Sequence, residues 1–169
     1  MTYVTLGGVT VGICILAYHL VGWWPGAKAL RGNPVPHAAR LLPFLLAWAY
    51  GCLTILGVGG LIGWTARAAR WISNWLGDVA LVWGVGGDTG QSASRTTYLP
   101  LTQTGLAVVL ILSVAVIAAT KKSRYGRDIK LGAWCGICLG TSAGVAGFAA
   151  VPLAQAANWF GTTVFGAVA

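Results

Sequence analysis

The chain has 169 residues, of which 57% are apolar and only 8% are charged, and eleven lysines and arginines against three acidic residues give it a net charge of +8. Water-soluble domains carry about three times this share of charged residues, so the composition excludes an ordinary soluble protein. Long apolar runs separated by basic segments are instead typical of an integral membrane protein.

The first apolar run covers residues 3–24 and is long enough to cross the hydrocarbon core as a helix. Because it lacks the basic start of a cleavable signal peptide, we expect it to remain in the membrane. Trp23 and Trp24 mark its interfacial end, and the Pro-Gly pair that follows predicts a helix stop. His19, in the last turns, is expected to bond a neighbour or to reach the interface.

A second run covers residues 41–64, and an amphipathic segment follows at about 65–83. In that segment apolar residues that include Trp71 and Trp75 recur at three- and four-residue steps, opposite Arg67 and Arg70. One interpretation places the segment in the headgroup plane, with an interfacial set made of Trp64, Arg67, Arg70, Trp71 and Trp75. The other packs the tryptophan stripe against the protein's own helices.

The rest of the chain predicts a glycine-rich loop at 84–101 and two further spans, at about 102–120 and 131–152, joined by a basic turn. The predicted fold is therefore a single all-α membrane domain, residues 1–169, with four transmembrane helices and one amphipathic interfacial helix. A five-span alternative would place Asn74 and Asp78 in lipid, which is costly.

Two basic segments suggest how the chain lies in the membrane. With four spans they share one side, which the positive-inside rule makes the cytoplasm, so a multi-pass plasma (inner) membrane protein with both termini outside is expected. The same residues are predicted to contact the phosphates of anionic lipids, or of a nucleic acid that stacks on Tyr125, unless they only fix topology. They are Lys28, Arg31, Arg40, Lys121, Lys122, Arg124, Arg127 and Lys130.

Glycine recurs at every fourth position in the last span, at Gly132, Gly136, Gly140 and Gly144. On a helix this spacing makes one slowly winding groove, which permits close backbone approach in a bilayer. The spacing is repeated at Gly8 and Gly12 and at Gly59 and Gly63. The ladder is similar to the glycine zippers of channel-forming membrane proteins, and it predicts packing either within the bundle or between subunits of a homo-oligomer.

Cys135 and Cys138 have the CxxC spacing of redox sites. A four-helix membrane bundle with this motif resembles the disulfide-generating enzymes of the vitamin K epoxide reductase type, and the resemblance implies a second cysteine pair as electron relay. Cys14 and Cys52 lie near mid-membrane instead. The alternative is that cysteine serves as a small apolar residue beside the glycines. No histidine or carboxylate lies near the motif, so we expect neither metal nor cofactor.

Residues 102–152, an apolar helix, a basic turn and a glycine-rich helix, resemble the helical hairpin of conjugative pilins and type IV secretion membrane subunits. The leading hypothesis is a non-enzymatic protein that self-associates as a pore or scaffold component of a transfer, secretion or mobile-element apparatus. Its expected partners are anionic lipid, further copies of the chain and that apparatus. The alternatives are a phage holin-type lesion former, a membrane thiol-disulfide enzyme and a small transporter or channel subunit.

Overall fold

The computed structural model describes residues 4–27, 38–57, 59–88, 91–93, 101–140, 142 and 145–167. Most of these residues are helical, and the others form turns, short irregular connections and one isolated bridge between Thr5 and Ser92. Lys28, Arg31 and Gly144 lie outside the described residues. The helices are α1 (Leu6–Ala27), α2 (Leu42–Leu56), α3 (Gly60–Val85), α4 (Gln103–Lys122), α5 (Gly126–Leu139) and α6 (Val145–Gly166).

The sequence predicts four membrane spans, and the structure corrects this number. By length and apolarity, α1 over Leu6–Trp24 and α4 over Gln103–Lys122 are each able to cross a membrane. Helices α2 and α3 qualify only together, as one span bent by 105°. The described part of the chain therefore holds two candidate spans, or three if the bent pair is one span.

The predicted span at 41–64 is broken at glycines. Helix α2 ends at Leu56, and α3 begins at Gly60, whose φ of +74° lies in the left-handed region that favours glycine. The amphipathic segment predicted at 65–83 is the middle of α3, which takes its first residues from the predicted span.

The predicted span at 131–152 is also divided. Helix α5 ends at Leu139, and α6 begins only at Val145 and continues through Pro152 to Gly166. At the other end of the molecule α1 passes the predicted stop and runs to Ala27. The prolines in α1 and α6 therefore do not end their helices, because a membrane environment tolerates proline inside a helix.

The glycine ladder packs within the chain. Gly132 and Gly136 lie on α5 and Gly140 caps its end, and all three approach residues of α2. A Cβ added at Gly136 would collide with the carbonyl oxygen of Trp48 and would lie 3.0 Å from the Cα of Gly51. The two helices touch backbone to backbone, as small residues permit in a bilayer. Helix α2 of the same chain thus fills the described part of the ladder.

The other predicted packing glycines differ from one another. Gly8 packs against α3, Gly12 against α5, and Gly63 against the carbonyl oxygen of Gly57. A Cβ added at Gly59 would meet nothing within 4 Å, so no helix of the described chain packs there.

Helices α4 and α6 form a second close pair, fixed by polar groups at the start of α4. The side-chain oxygen of Asn158 accepts hydrogen bonds from the backbone N–H of Thr102 at 2.9 Å and from its hydroxyl at 3.0 Å. The Thr102 hydroxyl also accepts the N–H of Gly105 at 3.2 Å and so caps α4.

Helix α3 has its polar face inside and its apolar face outside. Arg70 and Ser73 are 4% and 1% exposed, on the same face as buried small residues. Trp71 is 69% exposed and Trp83 is 87% exposed, on the opposite face. This order is the reverse of a helix in a soluble protein and fits a surrounding of lipid tails, since only an apolar solvent favours exposed tryptophan over exposed arginine.

Candidate functional site

A cavity of about 590 Å³ lies at the end of the bundle where α1 ends and α5 begins. Three separate chain segments line it: the last turns of α1, the residue Arg40 before α2, and the turn between α4 and α5 together with the first turn of α5. We call it the basic cavity. Its lining consists of Tyr18, His19, Val21, Gly22, Trp23, Arg40, Arg124, Tyr125, Arg127 and Asp128.

Three arginines dominate the electrostatics of the basic cavity. Arg40, Arg124 and Arg127 are exposed and line it together with one carboxylate, that of Asp128. Arginine stays protonated in proteins, so the ionised groups leave the cavity with an excess of two positive charges. A planar guanidinium also matches the oxygens of a phosphate through paired hydrogen bonds.

Two tyrosines hold two of these guanidinium groups in place. The guanidinium of Arg127 lies 5.6 Å from the ring centre of Tyr18 and donates a hydrogen bond to the tyrosine hydroxyl. That of Arg124 lies 4.9 Å from the ring centre of Tyr125. Such cation–π contacts restrict the side chain without neutralising its charge. Arg124 and Arg127 are therefore partly positioned before any anion binds.

His19 lines the basic cavity and also contacts the protein interior. Its ring stacks on the buried ring of Phe44, with centroids 4.0 Å apart and planes 10° from parallel. Its Nδ1 lies 3.9 Å from a carboxylate oxygen of Asp128. Asp128 stands in the first turn of α5, where a negative charge complements the helix dipole. Its place at the start of a helix therefore explains why a carboxylate occurs among the arginines.

The six predicted phosphate-contact residues that the structure describes divide into two groups. Arg40, Arg124 and Arg127 come together from two distant segments. Lys121 and Lys122, at the end of α4, and Lys130, on α5, are exposed but do not line the basic cavity; all three are described residues. Sequence reasoning missed Tyr18, although its place near the interfacial tryptophans at the end of a span was a usable signal.

A polar cluster inside the bundle includes Arg70, which the sequence predicted as part of the interfacial set. Arg70 is turned inward on α3, beside Cys138 of α5. The indole N–H of Trp134 donates to the Ser73 hydroxyl at 2.8 Å, and that hydroxyl donates to the carbonyl of Ala69 at 2.9 Å. The interfacial assignment of Arg70 is corrected: buried polar groups satisfy one another in lipid because nothing outside can.

The CxxC pair lies in the same interior. Cys135 and Cys138 are at most 1% exposed, and both are free thiols. The Cys135 thiol donates to the carbonyl of Gly12 at 3.3 Å. Burial raises the pKa of Cys135 to about 12 and also raises the pKa of Cys138, although Ser73 and Arg70 oppose the second shift. A buried, protonated thiol is a poor nucleophile, so this geometry favours packing over thiol exchange.

No group of three histidine, cysteine or acidic side chains able to hold a metal occurs in the described ranges. Comparison of the chain with protein-family models, with curated proteins and with solved structures gave no match. The resemblance of residues 102–152 to pilin hairpins therefore stays a prediction.

Proposed function

We propose that the protein is a non-enzymatic integral membrane protein that holds the phosphate of an anionic lipid headgroup in the basic cavity. The observation that carries the proposal is the convergence of Arg40, Arg124 and Arg127, from segments more than eighty residues apart, on one cavity beside interfacial aromatics. Arginine and tyrosine at the end of an apolar helix suit the headgroup layer, where phosphate is the abundant anion.

The test compares two pairs of cations that carry the same charge at the same end of the molecule. In the variant Arg40→Gln/Arg124→Gln the cavity loses two guanidinium groups, whereas in Lys121→Gln/Lys122→Gln the exposed end of α4 loses two ammonium groups. General attraction to an anionic surface is about 1 kcal/mol per basic residue for either pair. Any larger loss of lipid affinity in the arginine variant is therefore the contribution of the basic cavity.

The measurement is the unfolding temperature of the protein in nanodiscs of phosphatidylcholine with and without phosphatidylglycerol. A ligand that binds the folded state raises this temperature. We expect phosphatidylglycerol to stabilise the wild type and the lysine variant, and the arginine variant to lose most of the effect. Equal losses in the two variants would mean that charge alone, and no site, attracts the lipid.

A second candidate function, a self-associating scaffold within a larger membrane apparatus, is favoured by the outer face of α3. Trp64, Trp71, Trp75 and Trp83 are all more than half exposed along this helix. Since α2 fills the described part of the glycine ladder, self-association would use this face instead. Wild-type mass in detergent, compared with that of Trp71→Ala/Trp75→Ala, tests it: a defined oligomer that the substitutions dissociate supports it, and a wild-type monomer refutes it.

The structure bears on one of the other hypotheses. Burial of both CxxC thiols gives no support to a thiol-disulfide enzyme. The pore, secretion, conjugation and phage assignments remain predictions from the sequence.

A further inference from the structure

A second cavity, of about 490 Å³, lies along the outside of the bundle between α1 and α3. Its walls are nearly all apolar and include Val11, Cys14 and Ile15 from α1 and Leu76, Ala80 and Leu81 from α3. We call it the apolar groove. Its volume and that of the basic cavity fall in the range of small-molecule sites.

Tyr18 belongs to the lining of both cavities. Its hydroxyl accepts a hydrogen bond from Arg127, which is on the basic side. Its ring, 58% exposed, continues into the apolar groove. A polar compartment with an excess of positive charge therefore meets an apolar one at a single amphipathic side chain.

The two cavities follow one another along α1 as the headgroup and the acyl chain of a lipid follow one another across a bilayer leaflet. The basic cavity lies beside Trp23, near the end of the candidate span Leu6–Trp24. The apolar groove extends back along the same helix from Tyr18 to Thr10, a distance of about 12 Å. That fits within one leaflet of the hydrocarbon core, which is about 15 Å deep.

We infer that the two cavities form one site for a single anionic phospholipid, with its phosphate among the three arginines and one acyl chain in the apolar groove. This inference rests on the proposed function and adds the occupant. A soluble phosphate would use only the basic cavity and would leave the adjoining groove without a role. A neutral lipid would use the groove but would not need the arginines.

The test blocks the groove without touching the arginines. Ala80 is an exposed groove residue of α3, and Ala80→Phe places a ring where the acyl chain would lie. Cys14→Phe fills the groove from α1, in case the first variant fails to fold. Ala115→Phe is the matched control, because Ala115 is exposed on α4 and lines neither cavity. Unfolding temperature in phosphatidylcholine shows which variants are folded.

Native mass spectrometry from detergent micelles measures retention of three probes: phosphatidylglycerol, phosphatidylcholine and glycerol 3-phosphate. We expect wild type and Ala115→Phe to retain phosphatidylglycerol at least about tenfold better than either other probe. Either groove variant should lose about tenfold in phosphatidylglycerol affinity, as the loss of about ten dispersion contacts between the acyl chain and the groove would cause, while its response to glycerol 3-phosphate stays unchanged.

The failures are distinguishable. If the groove variants retain phosphatidylglycerol like wild type while Arg40→Gln/Arg124→Gln loses it, the single-lipid site is wrong and the proposed function stands. If glycerol 3-phosphate binds as tightly as phosphatidylglycerol, the occupant is a soluble phosphate, which overturns both the inference and the lipid headgroup of the proposed function but leaves the arginine site in place. If the arginine variant retains phosphatidylglycerol like wild type, the proposed function fails and the inference with it.

Discussion

The α2–α5 contact and the outer face of α3 use opposite kinds of residue, and both choices fit an apolar surrounding. Between α2 and α5, glycines bring two backbones together, and nothing larger fits at Gly136. On the outside of α3, tryptophans stand exposed while Arg70 is buried. In water both choices would be unfavourable, because a glycine contact buries little apolar area and exposed tryptophan is costly. In lipid tails, close backbone packing stabilises the interior and a large apolar surface costs nothing.

The largest expected effect is at the close contact. Gly136→Leu should destabilise the protein by about 3 kcal/mol or more, because the side chain would meet the backbone of α2 and neither helix can give way cheaply. Thermal unfolding in detergent measures it. Gly84→Leu is the control, since Gly84 lies in α3 with nothing within 4 Å, and its effect should stay within about 0.5 kcal/mol. A folded Gly136→Leu protein that merely changes its oligomeric mass would contradict the internal packing.

A smaller effect is expected from the inner face of α3. Ser73→Ala removes the buried hydroxyl that accepts the part-buried indole N–H of Trp134, and loss of such a hydrogen bond costs about 1 kcal/mol. Thr65→Ala is the matched substitution on the same helix, because Thr65 is exposed and bonds only the carbonyl of Ile62 at 2.8 Å. Chemical unfolding of the two variants gives the comparison, and equal losses would mean that the inner face is not a polar core.

The reactivity of the four thiols tests which parts of the helices face outward and which face the interior. With the folded protein in detergent, N-ethylmaleimide should modify Cys14, which is exposed, and leave Cys52, Cys135 and Cys138 unmodified until the protein unfolds. Mass spectrometry counts one adduct before unfolding and four after. Rapid modification of Cys135 or Cys138 in the folded protein would return the thiol-disulfide enzyme to consideration.

The smallest effect on stability is expected at the outer face of α3. Trp71→Ala should change the free energy of unfolding by less than about 0.5 kcal/mol, because its side chain has few protein contacts to lose. Thermal unfolding in detergent checks this value. A loss of several kcal/mol from Trp71→Ala would show that the tryptophan stripe packs against protein instead.

Part of this arrangement was predictable from the sequence. The all-helical class, the long apolar helices α1 and α4 and the amphipathic character of α3 follow from composition and periodicity. The number of spans does not, because hydropathy averages over the breaks before Gly60 and after Leu139. The inward orientation of Arg70 does not follow from the sequence either. An amphipathic pattern predicts that a helix has two faces, but it does not predict which face packs against the protein.

The sequence predicted the basic residues of the candidate site but not which of them lie together. The two basic segments indicated a phosphate-contact surface that included Arg40, Arg124 and Arg127, and the same side of the membrane was expected for both segments. Which of the eight cations share a cavity depends on how α1 and α5 cross, and spacing along the chain carries no such information. For the same reason the role of Tyr18 as the residue common to both cavities emerged only from the fold.

The most direct test is to locate the lipid. Crystals of the protein grown from a lipidic mesophase doped with brominated phosphatidylglycerol would show where the headgroup and the labelled acyl chain lie. We predict phosphate density within hydrogen-bonding distance of Arg40, Arg124 and Arg127, and bromine signal in the groove between α1 and α3. An empty basic cavity, with bromine only in the surrounding bilayer, would contradict a lipid site at this place.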